Sequence, residues 1–426
     1  MRDLPENRRD MPAQCDAVPR RRLYTGPRLD RARAVADLRA RAHRYLPRIA
    51  GEYLEGGALG EQTLARERAG YDDWLFVPHM LRDTSGRSLA ADLLGRRAAM
   101  PLAIAPTGLN GLFGRHADTA LAEAAAAEGV PFIQGTMSND RLEDVARVEG
   151  LCHWWQLYMF GPAEIWQELV DRAANADCEA LVLTVNAQRF GRRNWSRRLR
   201  ATPTRPTLAT ILDAARHPRW AWRTLAHGMP EFANVREFVP RDRRGLFESA
   251  FWIREQMPKS LTWKDIAAVR DRWKGPFFLK GLLAPDDVER AIDAGADGVM
   301  LGTHGGRQLD TSVTALDMLA PARDRARGRI ALYISGGIRR GTDMLKALAL
   351  GADAVLAGRA PLYGLCAGGA PGAARALAIL KAEAENSMAQ LGIAAVGDLD
   401  RSLLVHRSRI APDFLGADGT CTAASR

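Results

Sequence analysis

Residues 330–359 read IALYISGGIRRGTDMLKALALGADAVLAGR, and this stretch decides the fold. Two short apolar runs, IALYISGG (330–337) and AVLAG (354–358), flank a segment with the charge and Ala/Leu spacing of a helix. Runs this short and this uniformly apolar read as strands covered on both faces. The same alternation recurs upstream in PLAIAPTG (101–108), VPFIQG (130–135), HWWQLY (153–158), ALVLTV (180–185), PFFLKG (276–281) and GVMLG (298–302). Eight strand-then-helix units predict an α/β fold in which a parallel sheet closes into a (β/α)8 TIM barrel.

Successive strands start roughly 20 to 35 residues apart, except between the fourth and fifth, where the gap is about 95. The excursion at 187–258 therefore leaves the barrel after strand four, on the carboxyl face where enzymes of this fold build their sites. Residues 1–32 read as a basic tail, 33–407 as the barrel domain and 408–426 as a C-terminal tail. From Arg33, RAVADLRARAHRYLPRIAGEYLEGG reads as one amphipathic helix stopped by Gly56-Gly57.

The 426 residues are 47% apolar, enough for a substantial core. The absence of a long apolar run or a leader-like N-terminus predicts a cytoplasmic protein. Five scattered cysteines without a CxxC pair argue against a disulfide framework or a zinc site. A net charge of +10 would suggest nucleic acid, but ten arginines and one acid between Arg189 and Arg223 carry +9 of it. The rest of the chain is nearly neutral, so no nucleic-acid-binding face is expected.

Three clusters carry candidate chemistry. Ser335-Gly336-Gly337-Ile338-Arg339-Arg340-Gly341 and Gly358-Arg359 end strands seven and eight. Their glycines either permit tight turns or let backbone N–H groups cradle a phosphate that an arginine completes. Strand six runs into Gly302-Thr303-His304-Gly305-Gly306-Arg307. The histidine is either a structural cap or a base acting on a substrate whose carboxylate the arginine grips. Lys280 ends strand five, where burial is costly unless it faces an anion or a polarised ring.

LKG (279–281), HGGRQLD (304–310), SGGIRRG (335–341) and KALALGADAVLAGR (346–359) together resemble the FMN-dependent 2-hydroxy-acid dehydrogenase and oxidase family, from about Leu46 to Gly392. YLEGGA (53–58), MPLAIAPTGLNG (100–111), HPRW (217–220) and HGMPEFAN (227–234) are similar to its (S)-mandelate dehydrogenase branch. The resemblance implies FMN as cofactor and oxidation of an (S)-2-hydroxy acid with a bulky side chain, electrons passing to a quinone or O₂. It implies His304 as base, Arg193 and Arg307 as carboxylate ligands, and Tyr53 and Tyr158 as hydrogen-bonding partners of the substrate. It further implies Lys280, Pro106, Thr107, Gly135, Gln156 and Thr184 around the flavin ring, Ser335 near the ribityl chain, and Gly337, Arg339, Gly358 and Arg359 around the phosphate. A homotetramer is implied as well.

The chain departs from the family pattern at several of these positions. Asn186 stands for the aspartate that pairs with the histidine, Ser335 for a ribityl-contacting aspartate, Gly135 for a flavin-contacting serine and Gly302-Thr303 for Ser-Asn. Met137 stands where several relatives carry an aromatic residue. Gly108 replaces an alanine common in oxidases, which the resemblance associates with dehydrogenases. These changes raise an alternative, a specialised oxidation of a peptide-derived or amino-acid-like intermediate, and a third, a flavin- or partner-binding protein with a decayed site. In the resemblance, residues 201–240 coincide with the segment by which the mandelate branch associates with membrane, and they mix Leu208, Ile211, Leu212, Trp220 and Trp222 with arginines. That composition suits either peripheral contact with anionic lipid or a solvated lid.

Overall fold

A computed structural model describes residues 22–410 apart from Pro203 and His227. The expected tails therefore fall largely outside the described residues, as do Cys15, Cys421 and the first residue of the 227–234 motif.

Eight parallel strands close the barrel: β1 (Leu102–Ile104), β2 (Phe132–Gly135), β3 (His153–Leu157), β4 (Ala180–Thr184), β5 (Phe277–Lys280), β6 (Gly298–Leu301), β7 (Ala331–Ser335) and β8 (Ala354–Ala357). Each pairs with its sequence neighbour, and β8 closes on β1 through Val355–Leu102, Leu356–Ala103 and Ala357–Ile104. Seven of the strands are buried along their whole length, which is why they read as unbroken apolar runs. Trp154 stacks on Phe278 and Tyr333 inside the barrel at centroid distances of 5.5 and 6.2 Å, and Phe278 meets Tyr333 tilted at 5.1 Å. Gly298 makes room for them, since a Cβ there would lie 2.0 Å from the Phe278 ring.

The amino end is sealed by an antiparallel hairpin, Ala91–Leu93 with Arg96–Ala98. Its turn places Leu94 and Gly95 at φ 59° and 79°, and Leu93 and Ala98 join the interior cluster. A second antiparallel pair joins Trp74–Phe76 to Leu404–His406.

The single N-terminal helix expected from Arg33 is in fact two, Val35–Tyr45 and Arg48–Glu55. Pro47 forces Leu46 into an extended conformation (φ −85°, ψ 135°), which ends the first helix and redirects the second toward the carboxyl face. The chain also packs earlier than the boundary expected at residue 32. The Tyr24 N–H donates to Asp37 at 2.7 Å, and Arg375 donates to the carbonyl of buried Ala32 at 2.6 Å.

The excursion after β4 folds as short helices, among them Asn194–Arg198, Leu208–Ala215, Pro218–Leu225 and Leu246–Gln256. It is bound tightly to the barrel. Buried Trp220 donates its indole N–H to the Leu112 carbonyl at 2.6 Å. Buried Asn234 donates to Ser138 and to the Asp140 carbonyl and accepts from the Leu142 N–H.

Candidate active site

The carboxyl ends of the strands, the helix Arg48–Glu55 and the excursion enclose a cavity of about 840 Å³. Every sequence-derived candidate except Thr184 lines it. Thr184 is buried beside it, paired in register with Lys280.

His304 sits at the mouth of β6 in a left-handed conformation (φ 61°), followed by Gly305 and Gly306 at 68° and 70°. A non-glycine residue there costs of order 1 kcal/mol or more, so the turn must be held from outside. Thr303 Oγ1 accepts from the Gly306 N–H at 3.0 Å, and the Gly306 carbonyl accepts from the Ala58 N–H at 2.8 Å. Arg359 clasps the Gly305 carbonyl with both terminal nitrogens, at 3.2 and 3.1 Å.

Asn186 fixes the imidazole tautomer. Its Nδ2 donates to the Gly302 carbonyl at 3.1 Å, and a carbonyl can only accept, so Oδ1 is the atom turned to His304 Nδ1 at 3.3 Å. Nδ1 therefore carries the proton, and Nε2 keeps its lone pair, accepting from the Tyr158 hydroxyl at 3.3 Å. An asparagine here thus selects the same tautomer as an aspartate would. Burial, then the charges of Lys280, Arg193, Arg307 and Arg359, hold the imidazole pKa well below its ordinary value. The imidazole is neutral at pH 7. Burial pushes the Tyr158 phenol up, keeping it a neutral donor.

Arg307 and Arg193 converge on Tyr53, with guanidinium carbons 4.9 and 5.9 Å from its ring. Arg307 Nη1 donates to the carbonyls of Tyr53 and Gly56 at 2.7 and 3.1 Å, and the Tyr53 hydroxyl donates to the Gly108 carbonyl at 2.8 Å. Neither arginine has a carboxylate partner among the described residues. Burial and then Arg193 lower the Arg307 pKa, so the pair calls for an anion in the cavity.

Around Lys280 three buried polar atoms have no partner: Thr107 Oγ1, Gln156 Nε2 and Thr184 Oγ1. Buried polar groups in folded proteins are as a rule satisfied, so three orphans at strand ends mark the edge of a polar ligand. Lys280 is 5% exposed, and burial lowers its pKa to about 8. A planar heteroaromatic ring with a hydrogen-bonding edge suits this arrangement, and FMN fits it. At Gly135 a Cβ would lie 3.3 Å from Gln156 Oε1 and 3.4 Å from the Thr107 carbonyl, so glycine lets both approach. Gly336 and Gly337 (φ 120° and 76°) and Arg339 line the cavity beside the start of the helix Arg359–Leu391, a turn suited to a phosphate.

Two residues have a structural role that the sequence did not show. Arg359, assigned to the phosphate, also spends its Nε on the Leu54 carbonyl and its Nη2 on the Glu55 carbonyl, so it braces the His304 turn against the Arg48–Glu55 helix. Gly108 has a packing reason of its own, because a Cβ there would lie 2.7 Å from the Met137 Cβ. Sequence reasoning also missed an aromatic part of the cavity wall, lined by Phe113, Phe232, Phe247 and Phe251. Three of the four lie in the excursion, whose place on the carboxyl face was the signal that could have found them.

The profile of a family described as FMN-dependent dehydrogenase matches residues 42–406. The chain is 39% identical to (S)-mandelate dehydrogenase of Pseudomonas putida over 92% of this chain and 95% of the relative. It is 36% identical to an L-lactate dehydrogenase of Caulobacter sp. (strain K31), over 88% and 99%. A crystal structure of the monotopic membrane protein (S)-mandelate dehydrogenase superposes with a TM-score of 0.84 at 40% identity, covering 88% of this chain and all of that one. A mandelate oxidase with (S)-2-phenylpropionate superposes at 0.71 and 34% identity, covering 88% and 98%.

Proposed function

Because the chain belongs to the FMN-dependent dehydrogenase family, we propose that it oxidises an (S)-2-hydroxy acid with a bulky, aromatic-compatible side chain to the 2-oxo acid. The observation that carries this reading is the trio of His304 Nε2, Arg307 and Arg193 gathered around Tyr53 and Tyr158, facing the unpartnered atoms near Lys280. FMN, when bound, supplies the two-electron acceptor. Thr107, Gln156, Thr184 and Lys280 would hold its ring, and the 336–339 turn its phosphate.

Arg193 and Arg307 grip the substrate carboxylate, with Tyr53 at their side. This orients C2 and its hydroxyl toward Tyr158 and His304. His304 Nε2 takes up the substrate proton as oxidation proceeds, and Nδ1–H remains on Asn186 Oδ1 throughout. Lys280, buried at the end of β5, would set a cation against the ring that it helps to hold. The phenylalanine wall accepts the substrate side chain and excludes water. The electron acceptor, a quinone or O₂, and assembly as a homotetramer belong to the same proposal. Anaerobic addition of such an acid should reduce the bound FMN and yield one equivalent of 2-oxo acid. Reduction only by amino acids or peptide-derived compounds would favour the specialised oxidation instead.

The excursion supports peripheral membrane contact. Leu208, Ile211, Leu212 and Trp222 are 71, 52, 54 and 74% exposed on the helices Leu208–Ala215 and Pro218–Leu225, among exposed Arg205, Arg216, Arg219 and Arg223. No helix among the described residues is long and apolar enough to cross a membrane. Trp220, Phe232, Val235 and Asn234 in the same region are buried, so removing residues 204–236 would damage the barrel. Point changes isolate the surface. Serine at 208, 211, 212 and 222 together should abolish flotation with anionic vesicles at low salt while FMN stays bound. Each side chain contributes roughly 1–2 kcal/mol of interfacial burial. Undiminished flotation of the variant, or none by the parent, would contradict membrane contact through this face.

A further inference from the structure

The turn that carries His304 rests on a buried carboxylate that the steps above do not use. Glu67, on the helix Gln62–Ala69, is 4% exposed. Its Oε1 accepts from the Thr303 hydroxyl, which itself accepts from the Gly306 N–H at 3.0 Å. Its Oε2 is buried and has no partner. Burial raises the Glu67 pKa against the opposing pull of the Thr303 hydroxyl and the charges of Arg359, Arg339 and Lys280, and it forms no ion pair with those cations among the described residues. A carboxylate oxygen is expensive to bury without a donor, so the vacancy on Oε2 calls for one brought by a ligand.

The place of Glu67 says which donor. A Cβ on Gly336 would lie 2.5 Å from Oε1 and 3.0 Å from Oε2, so the carboxylate sits against the backbone of the phosphate turn. Gly336 and Lys280 both line the cavity, and Glu67 stands directly behind Gly336. The part of FMN that joins ring to phosphate is a polyol chain, and its hydroxyls are donors. Ser335, the adjacent cavity residue, carries no charge and donates its hydroxyl back to the Leu301 carbonyl at 3.3 Å. We propose that Glu67 Oε2 accepts a hydrogen bond from a hydroxyl of the cofactor's polyol chain, supplying from the Gln62–Ala69 helix the carboxylate that position 335 lacks.

The proposal rests on the FMN reading, and three flavins separate the two. Apoprotein prepared from the full chain is titrated by flavin fluorescence with FMN, with riboflavin, which has the polyol without the phosphate, and with lumiflavin, which has neither. Glu67→Leu should weaken FMN and riboflavin about 100-fold, and Glu67→Gln, whose amide still hydrogen-bonds, about 10-fold. Lumiflavin should bind all three proteins equally, which also reports an intact ring site. Unchanged riboflavin affinity would overturn the proposal, whether or not FMN changes, and so would an equal loss of all three flavins. Failure of the parent apoprotein to bind FMN would instead overturn the cofactor reading.

Discussion

Replacing His304 by alanine is expected to slow substrate-driven reduction of bound FMN by about 10³- to 10⁴-fold while leaving the cofactor in place. The size follows from what the imidazole does. Its Nε2 carries the unshared pair, oriented through Nδ1 by Asn186, and the other polar groups at the substrate end are two arginines and two tyrosines. None of those is a base at neutral pH. Because His304 occupies a left-handed position, His304→Asn is the better-tolerated companion, since asparagine accepts that conformation at little cost. Both variants should bind a 2-oxo or 2-hydroxy carboxylate through Arg193 and Arg307 as the parent does. Stopped-flow reduction within tenfold of the parent would remove His304 from the role of base.

Asn186→Asp is expected to act in the opposite direction, raising the reduction rate about 10- to 100-fold. In a serine-protease triad the reverse change costs about 10⁴, because the amide selects the wrong tautomer. Here that part of the penalty is absent, since the Gly302 carbonyl already orients the amide correctly. What the amide lacks is charge. Burial and four neighbouring cations make the imidazolium costly, and a carboxylate at 3.3 Å would offset much of that. The substitution also places an oxygen against the Gly302 carbonyl, a loss of about 1 kcal/mol in stability that is smaller than the gain.

The pH dependence separates this account from a general improvement in folding. His304 is a competent base only when neutral, and its lowered pKa sets the acid limb of the reduction rate well below the ordinary histidine range. Asn186→Asp raises that pKa, so its acid limb should move to higher pH even as the plateau rises. A higher plateau with an unmoved limb would contradict charge stabilisation as the cause.

The barrel was legible because its strands are buried on both faces and therefore spell themselves out as apolar runs between glycines. The two antiparallel pairs were not. Trp74–Phe76 finds its partner at Leu404–His406, more than three hundred residues away, and the Arg96–Ala98 strand is two-thirds arginine. Among site residues, His304, Arg307 and Lys280 announced themselves as polar groups where strands end. Asn186 was visible as a departure, but its effect turned on a carbonyl at Gly302 that sequence spacing could not place. The bracing role of Arg359 was hidden for the same reason, because its acceptors at Leu54, Glu55 and Gly305 come from distant segments. Glu67 went unseen, the sole acid on a short polar helix with two arginines, until folding carried it against Gly336.

The most direct test of the central claim is anaerobic mixing of the FMN-loaded protein with (S)-mandelate and other (S)-2-hydroxy acids, following flavin absorbance near 450 nm, roughly where the oxidised cofactor absorbs. The account predicts bleaching by at least one (S)-acid, with a stoichiometric 2-oxo acid, little response to the (R)-enantiomer, and near-abolition in His304→Ala. An oxidised spectrum that persists with every 2-hydroxy acid, in a protein that retains its FMN, would contradict it.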